Sequence, residues 1–238
     1  MTAPKHAPPM KPLHLPGSPF STRETSSRRC TSVMSGLLLC LSGSALASEV
    51  VRRDVLLAVS TAPTAFDYTL SSPGGGFSGS DTFSYALAPR LGVRWGLVQP
   101  GWNIAPVVGA DLFYRQAAYA GGGSMTGRGA ALTLGAAWAI NDSWSSDVEF
   151  AASYEQASLQ LGGGSGLNGT SLMHGYDLRL RTLRSLDRTW SAGIEAGWQQ
   201  SQGNFSASSD RSLELKSSGW TAAVVVVWRL SARPAGLE

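Results

Sequence analysis

The segment "WSSDVEFAASY", Trp144 to Tyr154, decides how this chain folds. Read at every second position it gives Trp144, Val148, Phe150, Ala152 and Tyr154 on one side of an extended chain, with Ser146 the one polar member. Ser145, Asp147, Glu149, Ala151 and Ser153 fall on the other. A period of two is the mark of a strand with one apolar face. Asn141-Asp142-Ser143 stands directly before it, and these are residues that turn a chain. A strand therefore leaves a tight turn with a tryptophan at its first position.

The pattern recurs along the chain. "FSYALAPRLGVRWGL" sets Phe83, Tyr85, Leu87, Pro89, Leu91, Val93, Trp95 and Leu97 on one face, opposite small residues and Arg90 and Arg94. The last such segment aligns Trp220, Ala222, Val224, Val226 and Trp228. Eight alternating segments are predicted, near residues 54–70, 82–99, 102–118, 127–140, 144–160, 172–186, 190–203 and 213–230. Three connections are tight, at Pro100-Gly101, Asn141-Asp142-Ser143 and Asp187-Arg188-Thr189, and each is followed at once by Trp. The other four are Gly/Ser-rich: "SPGGGFSGSD", "AGGGSMTG", "GGGSGLNGTS" and "GNFSASSDR". Short turns at one end and longer loops at the other describe an up-and-down meander. Eight strands can close into a barrel. Pro63, Pro89 and Pro106 fall inside strands, and a bulge is expected at each because proline removes a ladder bond.

A barrel in water is apolar inside, and a membrane barrel is apolar outside. Here the polar face is small, with Gly92, Gly96, Gly109, Gly135, Gly193 and Gly197, and the apolar face is bulky. Trp95, Trp102, Trp138, Trp144, Trp190 and Trp228 gather on the apolar face near the tight turns. Tryptophan favours the membrane–water boundary, where its ring is buried and its N–H stays wet. The expectation is a transmembrane antiparallel barrel with an aromatic girdle at its turn end, closed because lipid cannot hydrogen-bond a free sheet edge.

These features resemble the small eight-stranded outer-membrane barrels of Gram-negative bacteria, the OmpA-transmembrane-like and OmpX-like group, over about residues 50–230. The resemblance rests on architecture. It implies outer-membrane lipid as surroundings and the outer-membrane assembly machinery as a partner. Such barrels usually end on an aromatic residue that this machinery reads, whereas here "VVVVWRL" is followed by "SARPAGLE".

Composition agrees with export. Arg28-Arg29 precede the apolar run "SVMSGLLLCLSGSALA", which is too short to span a bilayer and ends in Ala45-Leu46-Ala47. Cleavage after Ala47 is expected, leaving a barrel over 48–230 and a short tail over 231–238. Of 19 Lys/Arg and 16 Asp/Glu, five and one lie in the first 47 residues, so 14 and 15 remain. The basic character thus belongs to the leader, and a nucleic-acid partner is not expected. Both cysteines, Cys30 and Cys40, also lie in the leader, so neither a disulfide nor a Cys metal site is expected beyond it.

No catalytic residue, cofactor or metal is expected. His174 in "MHGYD" is the one histidine beyond the leader, and Tyr176 stands where lipid A deacylases carry a Ser two residues after the His. The triple glycines Gly74–Gly76, Gly121–Gly123 and Gly162–Gly164 lack the Lys-Ser/Thr of a phosphate loop. What the inward face does hold is charge: Arg90, Arg94, Asp111, Arg115, Asp147, Glu149, Glu155, Asp177, Arg179, Arg181 and Glu195. Such a set either lines a pore or neutralises itself as a plug, and the plug is the reading adopted, because small barrels fill their interior with side chains. Counting from the turns places Arg90 opposite Asp111 and Arg181 opposite Glu195. The expected function is a non-catalytic structural or surface-interaction role. A small-solute channel and a barrel-embedded lipid hydrolase are the alternatives.

Overall fold

The computed structural model describes residues 50–98, 103–119, 122–160, 168–208 and 211–230. The proposed leader, the Pro100-Gly101 turn with Trp102, and the tail after Leu230 lie outside them. All regular structure is antiparallel strand: β1 (Val50–Thr61), β2 (Ala65–Ser72), β3 (Gly75–Val98), β4 (Ile104–Tyr119), β5 (Gly123–Ala139), β6 (Trp144–Gln160), β7 (Asn168–Ser185), β8 (Trp190–Ser208) and β9 (Arg211–Leu230). β1 pairs with β3, each strand from β2 onward pairs with the next, and β9 returns to both β1 and β2, so the sheet closes. β1 and β2 both lie between β3 and β9, so nine strands fill eight positions around the barrel.

The predicted first strand, 54–70, is thus interrupted at Ala62–Thr64, around Pro63. Its register to β9 does not change: Ser60 faces Ala223, and six residues later Phe66 faces Ser217. Its register to β3 does: Thr61 faces Leu87, but Ala65, four residues on, faces Thr82, five residues back. The extra residue is in β3, where pairing to β4 also shifts between Phe83 and Tyr85. Hydrogen bonds from Ala62 N to Ala86 O and from Phe83 N to Thr64 O, both 2.9 Å, carry the wall across the gap. Pro89 and Pro106, where bulges were expected, sit in unshifted register with their side chains outward, and the β3–β4 ladder lapses at Ala88 and Pro89 without changing register. The β3 bulge also corrects Phe83, which was read on the outward face and is buried inside.

Three of the four loops predicted as Gly/Ser-rich are largely strand. β3 begins at Gly75, β5 at Gly123 and β8 runs to Ser208, so "GGFSGSD", "GSMTG" and "GNFSAS" are barrel wall. The β2–β3 connection closes over two residues, Pro73 and Gly74, and Gly75 has a φ of 127°, a conformation glycine adopts without strain. At the other end the predicted turns are built by side chains. Asn141 Oδ1 accepts from Ser143 N and Trp144 N at 2.9 and 3.0 Å. Asp187 Oδ1 accepts from Thr189 N and Trp190 N at 2.6 and 2.7 Å.

The wall reverses polarity along its length. In the turn-end half the outward residues are apolar, as in Trp190, Ala192, Ile194, Ala196 and Trp198 of β8 and Trp228, Val226, Val224, Ala222 and Trp220 of β9. Beyond them the same face turns polar: Gln200, Gln202 and Asn204 on β8, Ser218, Lys216 and Glu214 on β9. Gln156 and Ser158 follow Tyr154 on β6, and Arg128 and Thr126 follow Ala130 on β5. The interior reverses in the opposite sense. In the loop-end half it buries Phe66, Phe83, Met125, Leu159, Met173, Phe205, Leu213 and Leu215. Below, it buries the charged side chains. The chain is a membrane barrel at one end and carries a barrel of water-soluble polarity at the other.

Candidate functional site: the charged lumen

Period two sends Arg179 and Arg181 of β7, Asp147 and Glu149 of β6, Arg90 and Arg94 of β3, Asp111 of β4 and Glu195 of β8 to one side of the wall, and closure of the sheet makes that side the interior. All eleven charged residues read as inward are buried, none more than 7% exposed. Nine of them form one connected network. Arg94 contacts Asp111 at 2.7 Å and Glu149 at 2.6 Å. Arg181 contacts Glu149 at 3.0 Å, Glu195 at 3.1 Å and Asp147 at 3.5 Å. Arg90 meets Glu195 across the lumen at 2.8 Å, its Nη2 donating to both carboxylate oxygens. Arg179 bridges Asp111 at 2.8 Å and Asp177 at 2.5 Å. Arg115 and Glu155 form a separate pair at 3.2 Å.

Glycine provides the space. A Cβ on Gly92 would overlap the Asp111 carboxylate, and one on Gly127 would overlap that of Glu155. Level with the charges, on the wall formed by β1, β7 and β9, the lumen is lined by Leu56, Ala58, Leu183, Ala223, Val225 and Val227, Ala58 facing Arg90 and Ala223 facing Glu195 across their ladders. Toward the loops the charged layer is covered by the aromatic and aliphatic cluster, in which Phe66 and Phe83 pack with tilted rings, centroids 4.5 Å apart. Among the charged side chains lie two cavities of about 30 Å³ each, lined among others by Arg115 and Asp177 in one and Asp147 and Leu183 in the other. Each has room for little more than a water molecule.

The two pairs expected from the turns differ in outcome. Arg181 faces Glu195 directly. Arg90 faces Phe113, and it is Gly92 that faces Asp111, a register two residues from the one counted from Pro100-Gly101. Arg90 still approaches Asp111, at 3.8 Å, but its short contact is Glu195. Spacing within a hairpin could not reveal this partner, which lies on a strand far along the chain.

On the outer surface, Trp190 and Trp228 are cross-strand partners that stack 6.0 Å apart, and Trp144 lies under Arg184. Trp95 and Trp138 are half-buried on the same outward face. A second aromatic edge, which the sequence reading missed, bounds the apolar band on its other side: Tyr85, Tyr114, Tyr154, Tyr176, Trp198 and Trp220. Trp198 and Trp220 face each other in a T-shaped pair at 5.5 Å. The signal available was the switch from apolar to Gln and Ser on the outward face just beyond Tyr114, Tyr154, Trp198 and Trp220. Eight steps along a strand tilted by about 40°, as from Trp190 to Trp198, rise about 20 Å, close to the roughly 25 Å band of such barrels. His174 projects outward two residues beyond Tyr176, and its Nε2 lies 2.9 Å from the Gln202 amide. Among the described residues no cluster of His, Cys, Asp and Glu suited to a metal ion occurs.

No family model matches the chain, and no curated protein does. Solved structures do. Outer membrane protein OprG from Pseudomonas aeruginosa is 10% identical, with 78% of this chain and 98% of that one aligned at a TM-score of 0.47. Ail, the attachment invasion locus protein of Yersinia pestis, is 11% identical over 74% and 98%, with a TM-score of 0.39. Neisserial surface protein A is 12% identical over 73% and 96%, with a TM-score of 0.36. The sheet of this chain closes on itself as an antiparallel β-barrel.

Proposed function

We propose that this barrel is a non-catalytic anchor with a sealed lumen, acting through the surface it presents outside the membrane. The observation that carries the reading is the filling of the interior: a self-neutralising ionic network across the lumen, covered toward the loops by an apolar cluster. An aqueous channel needs a continuous wet path, and a buried ionic layer with no wide cavity does not offer one. In this reading the Asn141 and Asp187 turns face the periplasm, and the extended loop-end wall stands clear of the lipid. Outer-membrane lipid contacts the apolar band, the assembly machinery engages the chain during insertion, and neither a nucleic acid nor a cofactor takes part. The ligand of the outer surface, if the protein has one, is left open by loop composition. His174, outward and paired with an amide, lacks the nucleophile and acid that lipid hydrolysis requires among its described contacts.

Planar-bilayer recording of the purified full chain tests the seal. Rare or no openings are expected. Steady conductance of porin size would overturn it in favour of a solute channel.

A further inference from the structure

The ion pairs of the lumen fall into two sets, and among the described residues no ion pair joins them. Nine residues share one network, and Arg115 with Glu155 stands apart. One of the two small cavities lies where the sets meet, lined by Arg90, Asp177, Arg179 and Glu195 of the network and by Arg115 of the pair. Three polar atoms on these lining residues have no hydrogen-bond partner in the protein: Arg90 Nε, Arg115 Nε and Asp177 Oδ1. Their residues are 6%, 2% and 6% exposed, so bulk solvent does not serve them. A buried polar atom left unpaired is costly, more so on a charged group, and three on residues lining one cavity ask for a common partner.

The chemistry of the three atoms selects that partner. Two are N–H donors and one is a carboxylate acceptor. A halide could accept from both guanidinium groups but could not donate to Asp177. A metal cation would meet two N–H groups pointing at it. A water molecule accepts two hydrogen bonds and donates two, and the cavity's 30 Å³ has room for it. We propose that the cavity is a binding site for a structural water. It accepts from Arg90 Nε–H and Arg115 Nε–H, donates to Asp177 Oδ1, and so joins the isolated pair to the network. With this bridge all five lumen arginines belong to one hydrogen-bonded body. The inference holds whatever the protein's outer surface does.

Two measurements test it. The first is a crystal structure of the full chain at about 2 Å or better, from crystals grown in bromide. A single water peak within hydrogen-bond distance of all three atoms is expected. An anomalous bromide peak there would make it an anion site and overturn the proposal, and a cavity without density would overturn it as well. The second is urea unfolding of A88V and A88S. Ala88 lines the cavity. If the site were dry, Val would fill it and raise the midpoint. If it holds the bridging water, Val expels the water, strands three buried polar atoms and lowers the midpoint, whereas Ser leaves it near wild type. A midpoint for A88V equal to or above wild type overturns the proposal, and should A88V fail to assemble, the crystal structure decides.

Discussion

Arg181 shares its guanidinium among Asp147, Glu149 and Glu195, and Glu195 is itself shared with Arg90. Removing one partner of a buried ion pair costs about 3–5 kcal/mol, because a charge is left in a place that cannot solvate it. R181L is therefore expected to lower resistance to urea strongly. Adding E195L recovers little, since Glu149 still lacks Arg181 and Arg90 loses its short contact. The Arg115–Glu155 pair is different, because each is the other's only ion-pair partner among the described residues. There the double Leu variant is expected to recover a large part of what R115L loses. Urea unfolding of the two double-mutant cycles checks this, and equal recovery at both sites would contradict the network. At the turn end, Asp187 accepts from Thr189 N and then Trp190 N, and these bonds hold its carboxyl below the usual carboxylate range. A lowered folded-state pKa means that the contribution is complete above the unfolded value, near 3.9, and is lost as pH falls through the lower folded value. The Thr189 amide signal in an NMR titration should move only below that ordinary value. D187N keeps an oxygen acceptor and should remove the pH dependence. An amide that titrates in the ordinary carboxylate range would show that the turn does not perturb Asp187.

At the scale of the strand, the bulge at Ser84 and the break at Pro63 work together. The bulge brings Phe83 and Asp81 inward beyond a stretch in which even-numbered residues face inward, so the same strand lines the charged layer and the apolar layer. Tyr119 on β4 then donates its O–H to Asp81, and that bond lowers the Asp81 carboxyl and raises the Tyr119 phenol. Deleting Ser84 should only remove the extra residue, leaving Phe83 inward and Thr82 outward in a regular ladder, whereas inserting a second serine after Ser84 should swap the faces of everything before it, sending Phe83 to water and Thr82 inward. The expected result is a sharp loss of the folded, heat-modifiable form on unheated gels for the insertion and not for the deletion. Equal yield of the folded form from both variants would show that the register at the bulge does not set the faces. The strands of the turn-end half were legible in the sequence because their apolar face is continuous and bulky, as in Phe150, Ala152 and Tyr154. The loop-end half was not. Its outward residues are Ser, Thr, Gln and Gly, which read as loop, and its inward apolar residues, such as Phe205 between Asn204 and Ser206, are spaced too sparsely to outweigh them. The inward charges were legible one by one through parity, but their partners depend on which distant strands close the ring, and on a register two residues from the one a tight turn suggests.

For the whole molecule, the reversal of polarity organises every other feature. It sets the height of the lipid contact between two aromatic edges, puts the ionic network at membrane depth and caps it with an apolar cluster where the exterior meets water. Lipid cannot satisfy a polar side chain and water cannot reward an apolar one, so the reversal should coincide with the membrane boundary. Strand β8 offers the most direct test, because its outward residues run from Ala192 and Ile194 through Trp198 to Gln200, Gln202 and Asn204. The two cysteines of the full sequence, Cys30 and Cys40, precede the barrel, so single cysteines can be placed at each of these positions after both are replaced. Spin labels in lipid vesicles should collide with oxygen at 192, 194 and 196 and with a water-soluble nickel chelate at 200, 202 and 204, with the crossover at 198. A crossover elsewhere on the strand, or one accessibility along its whole length, would contradict the account.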